Sequence, residues 1–242
     1  MKVPVFRLAL LAVALAPTAA AQMPLRVMAV DAPPQSRAED ERGIMSDAMM
    51  EALRRAGLEG KLEFPPWPRA QEEAQAGKDI LIIALSRTPA RENKYTWIYP
   101  VLKLDRAFAT TGRQVSSFAE ARENFHQIAV ALRSAQYDIL LKEGFTTDQF
   151  STLLIERQEK IPTLLVMGRV DAWFSSIAEI KYAIRGNADA ANVVIGPPVG
   201  DGTLQYLACS LDCNPDLVAK LRQAAVEMKM DGTMDAIVAM YQ

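Results

Sequence analysis

Strand and helix signals alternate along this chain, and that alternation restricts its fold more than any single motif does. Leu25-Arg26-Val27-Met28-Ala29-Val30 reads as a strand. Ile44 to Ala56 reads as a helix, apolar at Ile44, Met45, Ala48, Met49, Ala52 and Leu53 and closed by Gly57. Lys61 to Phe64 is a second strand, and Pro66-Trp67-Pro68 opens a helix that runs to Gly77. The apolar strand Asp79 to Ala84 follows. A strand–helix–strand–helix–strand series predicts an α/β domain.

A second series comes after Pro100. Leu104 to Thr110 reads as strand, then Thr111-Gly112-Arg113-Gln114 breaks it. Gln127 to Leu132, Val170 to Phe174 and Asn192 to Ile195 read as strands. Ala135 to Glu143, Glu159 to Met167 and Ser176 to Ile184 read as helices, with Ser134 placed to cap the first and Gly144 and Gly168 as stops. Pro215 to Met230 and Met234 to Tyr241 are two further helices, divided by Asp231-Gly232. No internal repeat or low-complexity tract interrupts the pattern. Breaks near residues 111 and 197 bracket the second series. They predict two lobes, residues 22–110 with 200–242 and residues 111–199. If the tail returns to the first lobe, two crossovers form a hinge and the lobes enclose a closing cleft.

The N-terminal residues predict export. Lys2 and Arg7 form a basic start, Leu8 to Ala16 is a short apolar run, and Ala19-Ala20-Ala21 supplies an A-x-A cleavage pattern before Gln22. Residues 1–21 are therefore read as a signal peptide, and the location expected is the periplasm. The whole sequence carries a formal charge of −2, from 27 basic and 29 acidic residues. Loss of Lys2 and Arg7 makes the remainder more acidic, which argues against a nucleic-acid or membrane-surface partner. Cys209 and Cys213 predict a disulfide in an oxidising compartment. A redox or metal pair lacks support, because His126 is the only histidine and lies far away in sequence.

Chemistry concentrates where the strand Asp79–Ala84 opens into Ser86-Arg87-Thr88-Pro89, with Arg91 and Glu92 just beyond. Hydroxyls and guanidiniums at the carboxyl end of a buried strand are what an open α/β sheet needs to hold a small anion. Arg91 is the leading candidate contact, with pairing to Glu92 or Glu39 as the alternative. Ser134 is an independent candidate, because helix N-termini favour anions through free N–H groups. Trp67 fits a helix-start staple or a stacking platform equally well. Asp31, directly after a strand, fits a turn cap as well as a ligand contact.

The pieces Leu25–Asp31 (LRVMAVD), Gly43–Asp47 (GIMSD), Trp67, Gly77–Asp79 (GKD), Ala84–Arg91 (ALSRTPAR), Trp97–Pro100 (WIYP), Gly168–Ala172 (GRVDA) and Asp231–Thr233 (DGT) occur in an order and spacing that resembles the bacterial extracellular solute-binding proteins of family 3. The resemblance covers essentially all of the chain after residue 21. It implies a two-lobed periplasmic-binding-protein type II fold and an amino acid-like, carboxylate-bearing ligand. A permease of the ABC type or a sensor would be the partner, and a monomer is expected. It implies that Arg91 clamps a carboxylate, with Ser86, Thr88 and the Ala84 backbone as added hydrogen-bonding groups. Asp31 and Trp67 would line the first lobe, and Ser134 would meet the ligand from the second. Relatives that bind α-amino acids commonly carry an Asp where this chain has Ser176, so recognition of an α-ammonium is in doubt. Arg87 stands where the family usually has a neutral residue; it would suit a more acidic ligand or pair with Glu92.

Three classes of function remain after these readings: a transport binding protein, an exported enzyme, and a receptor lobe that only signals, which the sequence does not separate from transport. A binding protein needs no chemistry. An exported dehydratase, the activity of some proteins similar to this family, needs an acid or base in the cleft, and Asp31, Glu39 or Asp201 could serve. No triad, Gly-rich phosphate loop or metal-ligand spacing is present in the sequence, and no cofactor is expected.

Overall fold

The computed structural model describes residues 23–185 and 187–241. The signal segment read from residues 1–21 lies outside the described residues. Ten strands and eight α-helices follow in chain order among them. The first group comprises β1 (Leu25–Met28), α1 (Ile44–Arg55), β2 (Gly60–Glu63), α2 (Trp67–Ala76), β3 (Leu81–Ser86) and β4 (Tyr95–Leu104). The second comprises β5 (Arg106–Thr110), α3 (Phe118–Asn124), β6 (Ile128–Ala131), α4 (Ala135–Lys142), β7 (Phe150–Leu153), α5 (Ile161–Val166), β8 (Ala172–Ser176), α6 (Ile177–Ile184) and β9 (Val194–Ile195). β10 (Thr203–Ser210), α7 (Pro215–Met230) and α8 (Thr233–Ala239) complete the chain.

Two five-stranded sheets result, ordered β2-β1-β3-β10-β4 and β7-β6-β8-β5-β9. β1, β2 and β3 run parallel, whereas β10 is antiparallel to both β3 and β4. In the second sheet β6 is parallel to β7 and β8, and β5 is antiparallel to β8 and β9. The fold is mixed α/β with two lobes, as the sequence predicts. The first crossover falls at Asp105 and not near residue 111. Arg106–Thr110, placed with the first lobe by sequence, pairs instead with β8 and β9 in the second sheet.

β3 explains how the first lobe organises. Every residue of it is buried, so it reads as a continuous apolar run at the centre of its sheet. α2 packs against it, and α1 packs with α7 and α8 in the same core cluster. The second sheet carries a core on each face, set by strand alternation. Phe108 and Phe174 lie 4.7 Å apart on one face with Phe118, Phe125 and Phe145. Trp173 packs with Ile161, Leu165 and Ile180 on the other.

The tail is tied to the first lobe through β10. Cys209, the penultimate residue of that strand, is disulfide-bonded to Cys213. The loop so closed is held to the chain before β3. The Asp79 N–H donates to the Asp212 carbonyl at 3.1 Å, and Asn214 N–H donates to Asp79 Oδ1 at 2.5 Å. The two crossovers touch. Gly202 has φ 69°, and a Cβ there would meet the Leu104 carbonyl oxygen and Asp105 Oδ1, each at 2.8 Å.

Two outcomes are expected. Alkylation of exported, unreduced protein should leave Cys209 and Cys213 unmodified by mass spectrometry, and reduction should lower stability by about 2 kcal/mol for so short a loop. Gly202→Ala should cost about 1–2 kcal/mol through its left-handed backbone, and more through the clash. Gly200→Ala, where a Cβ would meet only the Phe118 ring, should cost less in the same denaturant titration.

Candidate functional site

The end of β3 turns sharply into the cleft between the lobes. Ala84 takes a left-handed φ of 57°, which is costly for a residue with a Cβ. Its carbonyl accepts from Gln205 Nε2 at 3.1 Å. Two residues later the strand ends at Ser86, and a 3-10 turn at Pro89–Arg91 sends the Arg91 side chain back towards the second lobe. From the opposite side, Arg133 adopts a left-handed φ of 55° just before Ser134 caps α4. Left-handed non-glycine residues therefore stand on both walls of one cleft, which is where backbone strain is found in functional sites.

Arg91 lies between those walls and is only 5 % exposed. Its Nη1 donates to the Ser86 carbonyl at 3.4 Å and its Nη2 to the Arg133 carbonyl at 2.8 Å. Its carboxylate partner is loose, with Nε 3.6 Å from Asp138 Oδ2. Burial pushes the Arg91 guanidinium below its ordinary range, opposed by Asp138. Burial also pushes the Asp138 carboxyl up, opposed by Arg91 and Lys94.

Arg106 was not anticipated as a site residue, and its side chain is also buried. Its Nη2 donates to Ser86 Oγ at 3.1 Å and its Nη1 to Thr203 Oγ1 at 2.7 Å. Burial lowers its pKa to about 10, with Glu179 opposing the shift and Arg91 adding to it.

A small cavity is enclosed by Ser86, Arg91, Arg106, Trp67, Ser134 and Ala84 together with Gln35, Gln136, Glu179 and Gln205. Its volume is about 20 Å³, room for a water but not for an amino acid. The lobes are in contact around it. Trp67 N–H donates to Glu156 Oε1 at 2.8 Å, Gln71 Nε2 to the Arg133 carbonyl at 3.1 Å, and Arg133 is ion-paired with Glu72. Several buried polar atoms on this wall have no hydrogen-bond partner among the described residues: both side-chain amide atoms of Gln35, Oε1 of Gln205 and Nε of Arg106. Buried polar atoms are nearly always paired, so such a cluster marks a place where pairing is deferred to something else. A larger groove of about 750 Å³ opens beside it, lined by Thr88, Phe118, Phe174 and Val199, and it shares Arg106. The larger space carries charged groups of its own, among them Lys103, Asp138, Lys142 and Asp201, but Arg91, Ser86 and Ser134 line the small cavity and not the groove.

The sequence-predicted residues separate in space. Arg91, Ser86, Ala84, Ser134 and Trp67 come together on the cavity. Thr88 lines the neighbouring groove, its Oγ1 buried and without a partner among the described residues. Asp31 lies off the cavity; its Oδ1 accepts the Ala38 N–H at 3.0 Å and closes a loop. Ser176 also lies off it, because its Oγ caps α6 by accepting the Glu179 N–H at 3.2 Å. In return Glu179 Oε2 accepts from Ser176 N–H, from Ser175 Oγ and from Gln136 Nε2. That reciprocal pair is a capping box, and the S-x-x-E spacing was its available sequence signal. Arg87 is spent elsewhere: it is ion-paired with Glu92 and lies 5.4 Å over the rings of Trp97 and Tyr206. Among the described residues no group of acidic, cysteine or histidine side chains could hold a metal ion, and no helix is long and apolar enough to cross a membrane.

Gln35 gives a direct check on this site. An apolar residue of similar shape removes two unsatisfied atoms, so Gln35→Leu should leave the unliganded protein as stable or more stable, by up to about 1–2 kcal/mol. The same change should weaken solute binding by calorimetry. A destabilised Gln35→Leu protein with unchanged binding would place Gln35 outside the site.

Solved structures of other proteins share the fold. A histidine kinase sensor domain with similarity to periplasmic binding proteins superposes with a TM-score of 0.79 at 15% identity, over 90% of this chain and 95% of that one. An ancestral arginine-binding protein bound to arginine gives 0.76 at 21%, over 90% and 97%. The ancestral amino acid-binding protein AncCDT-1, a precursor of cyclohexadienyl dehydratase, gives 0.72 at 18%, over 90% and 94%. No curated protein sequence matches the chain. The family model for bacterial extracellular solute-binding proteins, family 3, matches residues 25–242. With two lobes, a double crossover and a match over nearly its whole length, the chain belongs to the bacterial extracellular solute-binding proteins, family 3.

Proposed function

We propose that this protein captures a small, amino acid-like solute bearing a carboxylate in the interlobe cleft, and that the closed form is read by a membrane permease or a sensor. The observation that carries the reading is Arg91, a guanidinium buried between the lobes with a carboxylate no nearer than 3.6 Å among the described residues. A ligand carboxylate would supply the charge-assisted pair that Asp138 provides only loosely. Ser86, and the N–H groups of Ala135 and Gln136 at the start of α4, would add donors, since the first turn of a helix leaves such groups unpaired. Trp67 would form an apolar wall, and Thr88 would border the entry from the larger groove. The ancestral arginine-binding protein supports an amino acid-like ligand, and the sensor domain supports a signalling partner as an alternative to transport. A periplasmic, monomeric protein fits the family and the N-terminal sequence.

The cavity holds no such solute while the lobes touch, so entry requires them to part. The connections at Asp105 and at residues 196–202 are the natural hinge. Binding would then exchange the contacts of Arg91 and Gln71 with the Arg133 carbonyl for contacts through the ligand.

The dehydratase reading needs an acid or base at the ligand. Asp31 closes a loop, Glu39 is exposed, and Asp201 is exposed beside the larger groove. None of the three lines the small cavity, and Glu179, the acid that does, is engaged by Gln136, Ser175 and Ser176 of its own lobe, so binding without chemistry is the reading the geometry supports best.

A thermal-shift screen over amino acids, dicarboxylates and short peptides should find a stabilising solute, worth about 2.7 kcal/mol at ~100 times its dissociation constant. Arg91→Ala should then cost roughly 2–5 kcal/mol of affinity by calorimetry. Arg91→Lys should not restore it, because an ammonium lacks the planar fork. Parental affinity in Arg91→Ala would remove the carboxylate assignment.

A further inference from the structure

The cleft holds a second buried guanidinium whose charge the described residues do not neutralise by contact. Arg106 is 1 % exposed and opens β5, directly after the first crossover. Its hydrogen bonds go to neutral acceptors, the Ser86 and Thr203 hydroxyls and, at 3.4 Å, the Leu104 carbonyl. Its Nε is unpartnered, and it forms no ion pair within 4.0 Å among the described residues. Glu179 is the acid acting on it most strongly, yet Glu179 Oε2 already takes three donors from its own lobe.

Ser86 brings the two cations together. Its hydroxyl accepts from Arg106 and its carbonyl accepts from Arg91, so both forks reach one residue at the end of β3. Each guanidinium lines the same small cavity. A buried charge is costly unless paired, and two like charges at close quarters add their repulsion. A monocarboxylate could bridge both forks but would neutralise only one of the two charges. Ser176 Oγ is held as a helix cap, accepting the Glu179 N–H at 3.2 Å.

We infer that Arg106 is a second anion anchor of this cleft and that the solute is a short diacid, one carboxylate held by Arg91 and the other by Arg106. The inference rests on the carboxylate reading of the cleft and narrows it. It also reassigns the extra cation that the sequence attributes to Arg87, which pairs with Glu92 on the surface.

The competing account makes Arg106 a strap across the crossover, holding Thr203 and Leu104 without touching a ligand. Matched solutes separate the two. Glutarate against glutaramate, and L-glutamate against L-glutamine, differ by one charge at nearly constant shape. Calorimetry on the parent protein should give the diacid of at least one pair an affinity about tenfold or more above its amide. Arg106→Gln should bring that ratio to within about twofold, while Arg106→Lys should keep a preference for the diacid. Melting curves of both variants report any structural loss separately. Equal affinities within both pairs, or a preference for the amides, would overturn the inference from the parent protein alone. So would an Arg106→Gln protein that melts earlier but keeps the ratio. Binding of an amide that depends on Arg91 but not on Arg106 would leave the proposed function standing and this inference refuted. If none of the four solutes binds, the diacid inference fails, and the wider solute screen decides the carboxylate reading.

Discussion

A guanidinium buried between two lobes is the constraint around which this structure is arranged. Arg91 comes from the first lobe, but its shortest hydrogen bond is to a carbonyl of the second, that of Arg133 at 2.8 Å. To place it there, the chain bends β3 through a left-handed alanine and tightens into a 3-10 turn. To meet it, the second lobe bends at Arg133, immediately before α4. A buried charge satisfied mainly by carbonyl oxygens is poorly compensated compared with a carboxylate pair. That deficit is the physical basis of the proposed preference for an anion, and it would give the lobes a reason to exchange one set of contacts for another.

Several other unusual features lie at the same place. Gln35, Gln205 and Arg106 carry buried atoms without partners, and all three face the cavity beside Arg91. Each unsatisfied atom lowers the stability of the unliganded protein, so their persistence in one spot fits a site tuned for binding and not for maximal stability. The hinge is equally local. A single residue, Asp105, separates β4 from β5, and Gly202 on the returning chain is packed against it. Any movement of the lobes would thereby be confined to two adjacent connections, with the sheets on either side left intact.

Much of the architecture was legible because it depends on periodicity. β1, α1, β2, α2 and α7 lie within a residue or two of where apolar spacing and Pro or Gly punctuation put them, and the spacing of Cys209 and Cys213 foretold their bond. β4 was not read as a strand, and Pro100 interrupts the strand pattern of Tyr95–Leu104. β4 is an edge strand, where a proline costs no ladder bond that the sheet needs. The first crossover was placed near residue 111 because Thr111-Gly112-Arg113-Gln114 reads as the break, whereas it falls at Asp105. β10, the strand that carries the tail back, lies in a stretch assigned to the first lobe but given no element. At the site, Asp31 and Ser176 are small polar residues at the ends of strands, and such residues serve caps as readily as ligands. Arg106 opens an otherwise apolar strand, Arg-Ala-Phe-Ala-Thr. A charge heading a fully buried run was a signal available in sequence, since buried arginines are rare unless paired. Gln35 follows two prolines in a loop, where no periodicity reports on which way a side chain faces.

The most direct test of the account is a crystal structure of the protein grown with the tightest-binding diacid. The account predicts one solute enclosed between the lobes, a carboxylate paired with Arg91 and a second with Arg106, and the Arg133 carbonyl released from Arg91. A solute bound in the larger groove with Arg91 still on the Arg133 carbonyl would contradict it.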